Sequence, residues 1–317
     1  MKILVTGAAG FVGGALLPRL VRAGYQVTGT HVPGEPQPGF LTPADRPRVR
    51  WLPLDLRDTA SVHAVVEENP DAVIHLAAVA SGSEARRDPG HAWVVNAAGT
   101  ARLADALGAR RQAGTGDPLL LLVSTAEVYG NLTPPRPRTE SDPVAPISPY
   151  ASSKAGAEVA ALETARRTGL RVLIARPFPH TGPGQTDRYV VAAFARRLRD
   201  ARRAGERVVR TGNLEPVRDF LDVRDVAEAY LALLERGTPG EVYNIASGAG
   251  YSMLQVFTRL SEIIGVDAVA EPDPAFTRTA DLMHLVGDAS RLRSATGWAP
   301  RIAFDQTLQD LVNAQTD

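Results

Sequence analysis

Short apolar runs alternate along this chain with stretches whose apolar residues recur at helical spacing. Residues 3–5 precede an amphipathic stretch over 11–23, and 26–29 follows alone. Residues 49–52 lead to 59–68, 72–76 to 94–110, and 119–123 to 150–168, while 170–174 closes the series. A short apolar run between amphipathic segments reads as a strand buried on both faces, so the alternation predicts an α/β fold with a doubly wound parallel sheet. After Arg176-Pro177 the rhythm turns irregular, with an arginine-rich helix near 190–205, a helix over 222–235 and a strand over 241–245 that returns to the sheet. The expected division is a dinucleotide-binding domain from 1–176 and about 219–247, and a smaller C-terminal substrate-binding domain from about 177–218 and 248–317.

The chain has 317 residues, 44% of them hydrophobic, which supplies a substantial core. Lys plus Arg (35) balance Asp plus Glu (35), so no bulk charge draws the protein to nucleic acid or an anionic membrane, and phosphate must be held locally. Cysteine is absent, which excludes disulfides, thiolate metal sites and cysteine nucleophiles. Met1-Lys2 runs straight into the first strand, leaving no room for an export signal, and the apolar run 119–123 is far too short to cross a bilayer. The expected compartment is the cytoplasm, with no membrane partner.

Thr6-Gly7-Ala8-Ala9-Gly10-Phe11-Val12-Gly13 directly follows a strand and opens a helix. Such glycines let backbone approach a pyrophosphate, and the helix start adds unpaired N–H groups and its positive dipole end. This predicts a Rossmann-like cofactor site with Gly7, Ala9, Gly10, Phe11, Val12 and Gly13 in contact. Tyr150 and Lys154, four apart on one helix, share a face. An ammonium beside a phenol lowers its pKa from about 10, making the tyrosine a usable proton donor and acceptor beside a nicotinamide. Ser124, Thr125 and Glu127 follow the 119–123 strand at its carboxyl end, where such sheets collect ligands. Serine and threonine there are often only turn formers, but their company with Tyr150 and Lys154 favours a catalytic role.

Asp55-Leu56 either places a carboxylate beside the adenine or begins the next helix. Around Thr30-His31 no acid waits for a ribose 2′-hydroxyl, which marginally favours NADP(H) over NAD(H), with Arg46 and Arg48 as the cations that would fold back. Six histidines lack ligand spacing, so no metal is expected. His75 reads as structural, and His180 either touches the sugar or packs in its loop. Arg218 and Arg278 are candidate phosphate forks, although each residue alone reads as a solvated surface arginine. The run from Arg196 to Arg203 is expected to be a solvated helix face. Of two proline-rich loops, 31–47 and 133–149, the second joins Thr125 to Tyr150 and is expected to form a lid or rim.

Together, Thr6-Gly-x-x-Gly-x-x-Gly13, Asp55-Leu56, His75-Leu-Ala-Ala78, Ser124-Thr-x-Glu-Val-Tyr-Gly130 and Tyr150-x-x-x-Lys154 resemble the extended short-chain dehydrogenase/reductases that modify nucleotide sugars. The resemblance runs almost end to end. Ala175-Arg-Pro-Phe-x-His-Thr-Gly-Pro-Gly-Gln185, Gly212-Asn-Leu-x-x-Val-Arg-Asp-Phe-Leu-Asp-Val-Arg-Asp225, Val242-Tyr-Asn-Ile-Ala-Ser-Gly248 and Thr296-Gly-Trp-x-Pro300 narrow it to the GDP-4-dehydro-6-deoxy-D-mannose reductase family. GDP-mannose 4,6-dehydratases share part of that pattern.

The resemblance implies NAD(P)H-dependent reduction of the 4-keto group of a GDP-4-keto-6-deoxy-hexose. It implies that Leu76, Ala77, Ala78 and Pro177 join the cofactor site, that Lys154 holds the nicotinamide ribose, and that Arg218 and Arg278 grip the diphosphate. It also implies a homodimer built from the helices near 94–110 and 150–168. The alternatives are a 4-epimerase or 4,6-dehydratase that recycles bound NAD(P), and a cofactor-sensing binding protein, which would not need Thr125, Tyr150 and Lys154 together. Two positions depart from the family. Pro179 stands where an asparagine amide meets the substrate, and Glu127, a proton acceptor in the dehydratases, follows Ala126 instead of an acidic or hydroxyl partner.

Overall fold

Seven strands form the central sheet: β1 (Lys2–Thr6), β2 (Gln26–His31), β3 (Val49–Pro53), β4 (Ala72–His75), β5 (Leu119–Val123), β6 (Arg171–Pro177) and β7 (Val242–Ile245). The computed structural model describes residues 1–35, 41, 44–276 and 282–314. The strand order is β7-β6-β5-β4-β1-β2-β3, with every pairing parallel. The winding reverses between β1 and β4, so the loops leaving these strands diverge and open a crevice at their carboxyl ends. The returning strand expected over 241–245 is β7, at the edge beside β6.

The longer helices are α1 (Phe11–Arg22), α2 (Thr59–Val66), α3 (Gly99–Gln112), α4 (Pro149–Thr168), α5 (Val190–Ala204), α6 (Val223–Arg236), α7 (Met253–Ile264) and α8 (Phe304–Ala314), of which α1 and α6 cover one face of the sheet and α2, α3 and α4 the other. One face of the sheet packs Leu16, Leu20 and Tyr230 from α1 and α6 over Ile74, Leu121 and Leu173. The other packs Val62, Leu103, Leu107 and Ala161 over Leu4, Val73 and Leu120. A smaller core joins α5, α7 and α8, where Phe194 meets Phe257 edge-on at 5.6 Å and Phe220 stacks on Phe304 at 5.3 Å.

The arginine run on α5 is solvated at Arg196, Arg202 and Arg203, as expected, and it also braces neighbouring helices. Arg202 Nη1 donates to the Ile264 carbonyl at the end of α7 (2.6 Å), and Arg199 donates to the Val312 carbonyl in the last turn of α8. These guanidinium groups satisfy carbonyls that a helix end leaves without partners. Arg197 lies 4.0 Å over the Phe276 ring.

The proline-rich segment before α4 is a fixed rim. Arg138 is 1% exposed; its backbone N donates to Val286 O (2.8 Å) and its carbonyl accepts from Asp288 N (2.8 Å) and Asn244 Nδ2 (2.9 Å). Glu140 Oε1 accepts from Asn244 N on β7 (2.8 Å). The other proline-rich loop lies partly outside the described residues. Among the described residues no helix is long and apolar enough to cross a membrane.

Candidate active site

The glycine turn fits a dinucleotide for reasons the backbone makes plain. Gly7 has φ +67°, and a Cβ there would lie 2.6 Å from Ala77 N. A Cβ on Gly13 would run into the Ala8 carbonyl. Packing therefore demands both glycines. Gly10 is different: it is exposed, and its Cβ would meet only Gly7 O at 3.3 Å, so what needs the open space above it is not the chain itself. Gly10 is also the N-cap of α1 and supplies no side-chain cap, leaving first-turn N–H groups for an anion. Ala9, Phe11 and Val12 line this turn, and Leu76, Ala77 and Ala78 continue from β4 beside it, all partly exposed.

A buried relay ties this turn to the helices. Thr100 Oγ1 donates to Asn96 O (2.6 Å), so it accepts from His75 Nε2–H (3.0 Å); His75 Nδ1 is then the acceptor for Thr6 Oγ1–H (2.6 Å), and Ala77 N donates to Thr6 Oγ1 (3.3 Å). His75 is the structural residue expected. Burial, and next the Lys154 charge, push its pKa down to about 3, which keeps it neutral. Asn96 lies in a π-helical turn, Val94–Ala98, ahead of α3. Its amide brackets Val79 through Oδ1 (2.8 Å from N) and Nδ2 (3.1 Å from O), and Nδ2 also donates to Ser153 Oγ (2.9 Å), which donates to Tyr150 O (2.8 Å). Sequence reasoning missed Asn96, because a π turn leaves no periodic signal.

Helix α4 begins at the Ser148 cap, whose Oγ accepts from Ala151 N (3.1 Å), with Pro149 in the first turn. Tyr150 thus stands at the helix start, its ring packed against Val79, Ala85 and Ala92. Ser124 and Thr125 follow directly on β5. Ser124 N donates to Ala175 O (2.8 Å), while its buried Oγ has no partner. Thr125 Oγ1 accepts from Glu127 N (3.2 Å) and lies close enough to the Tyr150 phenol to favour its charged form. Thr125 and Glu127 are thus close to Tyr150, Lys154 follows Tyr150 by one helical turn, and the Ser124 hydroxyl beside Thr125 is a buried polar group without a partner.

The electrostatics correct one expectation. Burial, reinforced by the Glu127 charge, raises the Tyr150 pKa above its ordinary value, and the Thr125 hydroxyl only partly opposes it. Burial also takes the Lys154 ammonium down to about 8, against the pull of Glu158. Desolvation disfavours the charged form of both groups, so the ammonium does not acidify the phenol in the protein alone.

Other expectations separate here. Asp58, not Asp55, caps α2, accepting from Ala60 N and Ser61 N (3.1 Å each). Asp55 is engaged by Arg57, Nη2 to Oδ2 at 2.7 Å, and Arg57's side-chain hydrogen bond holds its pKa down to about 2. Leu56 packs beneath Gly99. Arg48 does not fold back to the cofactor: Nη2 donates to Val21 O (2.9 Å) near the end of α1, and Arg46 and Arg48 lead into the start of β3, at the sheet edge opposite the glycine turn. His180 stacks on Phe11 (6.4 Å, 3°) beyond Pro177, with Nδ1 committed to Phe178 O (3.1 Å), which leaves Nε2 as an acceptor. The Pro179 carbonyl accepts from Leu221 N (2.9 Å). Arg218 sits half-buried on a small sheet of Gly250–Ser252, Val217–Asp219 and His284–Leu285. Arg278 lies outside the described residues. Among the described residues no three His, Asp or Glu side chains gather as a metal site would require.

Residues 3–246 match the NAD dependent epimerase/dehydratase family. A GDP-6-deoxy-D-mannose reductase of Pseudomonas aeruginosa is 37% identical over 98% of this chain and 96% of its own. The solved structure of RMD from Pseudomonas aeruginosa complexed with NADPH is 35% identical with TM-score 0.82, covering 99% of this chain and 98% of that one. The Thermus thermophilus UDP-glucose 4-epimerase in complex with NAD is 30% identical with TM-score 0.86, over the same shares.

Proposed function

The chain belongs to the NAD dependent epimerase/dehydratase family, the extended short-chain dehydrogenase/reductases, and from that premise we propose that it reduces the 4-keto group of a GDP-4-keto-6-deoxy-hexose. The carrying observation is the Tyr150 phenol, one helical turn before Lys154 and close to Thr125 and Glu127, with the unpartnered Ser124 hydroxyl following β5 next to Thr125. The end-to-end likeness to a GDP-6-deoxy-D-mannose reductase supports the substrate class. NADP(H) is marginally favoured and NAD(H) remains in use among relatives. The reduced dinucleotide, when bound, supplies the hydride for C4.

The residues of the chain do the rest. Gly7, Gly10 and Gly13 admit the pyrophosphate to the start of α1, and Lys154 binds the nicotinamide ribose. Ser124 and Thr125 hold the sugar oxygen, and the Tyr150 hydroxyl gives its proton to the new alkoxide; a phenol held above its ordinary pKa is stored in the protonated form this donation needs. Arg218 and Arg278 take the diphosphate, and His180 offers an acceptor to a sugar hydroxyl. The dinucleotide belongs to 1–176 and about 219–247, and the nucleotide sugar to about 177–218 and 248–317. Trp93, Val94 and Val159, exposed around α4, support a homodimer.

Incubation with NADPH and a panel of 4-keto sugar nucleotides tests the reading: NADPH should be consumed in step with product, most rapidly with the guanine-linked substrate. A protein that converts its substrate without consuming added NADPH is instead an internally recycling 4-epimerase or dehydratase. Tyr150→Phe should lose at least about a hundredfold in turnover and keep cofactor affinity, since only the transferable proton is removed. Near-normal turnover in that variant removes the assignment.

A further inference from the structure

Between Arg22 and Arg46 the chain carries one basic residue, His31. It ends β2, in register with Pro53 of β3, and the residue before it touches the glycine turn, where Gly7 N donates to Thr30 Oγ1 (3.1 Å). In a dinucleotide fold the region after the second strand supplies an acid for the adenosine ribose 2′-hydroxyl or an arginine for a 2′-phosphate. His31 takes that place here. Arg48 is committed to Val21 O, and it leads with Arg46 into the start of β3, the end remote from His31.

The imidazole is half-buried beside Trp51, with ring centroids 6.5 Å apart. Nδ1 lies 2.9 Å from Val32 O; a carbonyl only accepts, so Nδ1 carries the hydrogen and the neutral ring presents Nε2 as an acceptor. Nε2 has no hydrogen-bond partner among the described residues. Protonation turns the same nitrogen into a charged donor without moving the ring. Few ionisable groups surround it. The glycine turn, 6–13, holds none, and neither do residues 36–43. After β3, Asp55 and Arg57 pair with each other (2.7 Å) and Asp58 caps α2. Glu35 and Asp45 belong to the segment between β2 and β3.

We propose that His31 reads the adenosine ribose of the cofactor: uncharged, it accepts from a 2′-hydroxyl, and protonated, it donates to a 2′-phosphate, so the preference for NADPH over NADH rises as pH falls. Imidazole is the side chain whose charge changes between about pH 5 and pH 8, and a phosphate beside it favours the charged form. The inference rests on the dinucleotide reading above and names the residue that sets the choice within it.

Dissociation constants of NADPH and NADH, measured on the whole chain by nucleotide fluorescence at about pH 8.5 and about pH 6.5, provide the test. The ratio of the two constants is the readout, because Lys154 meets only the nicotinamide half that both share. That ratio should shift about fivefold toward NADPH on going to the lower pH. Titration of the phosphate itself, near pH 6, has the opposite sign, since acid removes charge from it. His31→Gln should abolish the shift and weaken NADPH about tenfold at the lower pH, with NADH held within about twofold. His31→Arg should bind NADPH tightly at both pH values, its guanidinium being charged throughout. A ratio that does not change with pH in the unaltered protein, or NADPH affinity that His31→Gln leaves intact at the lower pH, overturns the proposal while the dinucleotide reading stands. A protein that binds neither dinucleotide at either pH removes that reading, and the proposal with it.

Discussion

His75 is folded as a neutral ring, 1% exposed, with each nitrogen committed to a threonine hydroxyl. Its pKa falls from 6.5 to about 3, so between these values the unfolded chain binds a proton that the folded chain refuses. Stability therefore rises with pH across that window: the contribution is complete above about pH 6.5 and disappears as pH falls toward 3. His180, also lowered by burial, adds in the same direction. Urea midpoints taken from about pH 7 to about pH 5, above most carboxylate titration, should fall steadily, and His75→Gln should flatten that slope while lowering the whole curve. An unchanged slope in the variant would show that the ring is not held neutral. At this scale the sequence was legible where spacing carried meaning: Tyr150 and Lys154, four apart, do share a face. Glu158 repeats that spacing, but its partner Arg176 comes from a strand and no local pattern announces it. The acidified phenol expected from that spacing is absent for a related reason, since burial is a property of the assembled site.

Among the elements, periodicity located every strand of the sheet and the helix carrying Tyr150, because short buried runs and amphipathic stretches differ in length as well as period. It did not show where the helix before α3 relaxes into the π turn at Val94–Ala98, nor that Asp58 takes the cap for which Asp55 was a candidate. The π turn carries Asn96, whose partners Val79 and Ser153 are distant in sequence, whereas the Asp58 cap is local, to Ala60 N and Ser61 N. The turn between β1 and α1 gives a test that separates packing from binding. Gly7→Ala forces a side chain into φ +67° and against Ala77 N at 2.6 Å, and should cost about 2–4 kcal/mol of stability together with cofactor binding. Gly10→Ala meets only Gly7 O at 3.3 Å, so it should cost less than about 1 kcal/mol yet weaken NADPH binding at least about tenfold, measured by nucleotide fluorescence. Unaltered affinity in Gly10→Ala would take the pyrophosphate away from this turn.

For the molecule as a whole, α4 connects the chemistry to the surface. Its inner row carries Tyr150, Lys154 and Glu158, while Val159, one residue further on, is 68% exposed on the opposite side. Trp93, 46% exposed, lies across Gly156 in space that a side chain would fill: a Cβ there would sit 2.6 Å from the indole. Val159 is three residues from Gly156 and hence on the same helical face, and Val94, 42% exposed, follows Trp93, so three large apolar side chains lie around one helix. Scattered apolar side chains need no explanation on a protein surface, but Val159 on α4 with Trp93 and Val94 from the segment packed against it favour a protein partner. A second copy of the chain, apposing α3 and α4 through a two-fold axis, would cover the patch with its own equivalent. Val159→Arg places a charge at the centre of that contact without touching the buried side of the helix. Light scattering at micromolar concentration should then report half the mass of the unaltered protein, with far-ultraviolet circular dichroism unchanged. The same mass before and after the substitution would place any association elsewhere and leave the outer face of α4 to solvent.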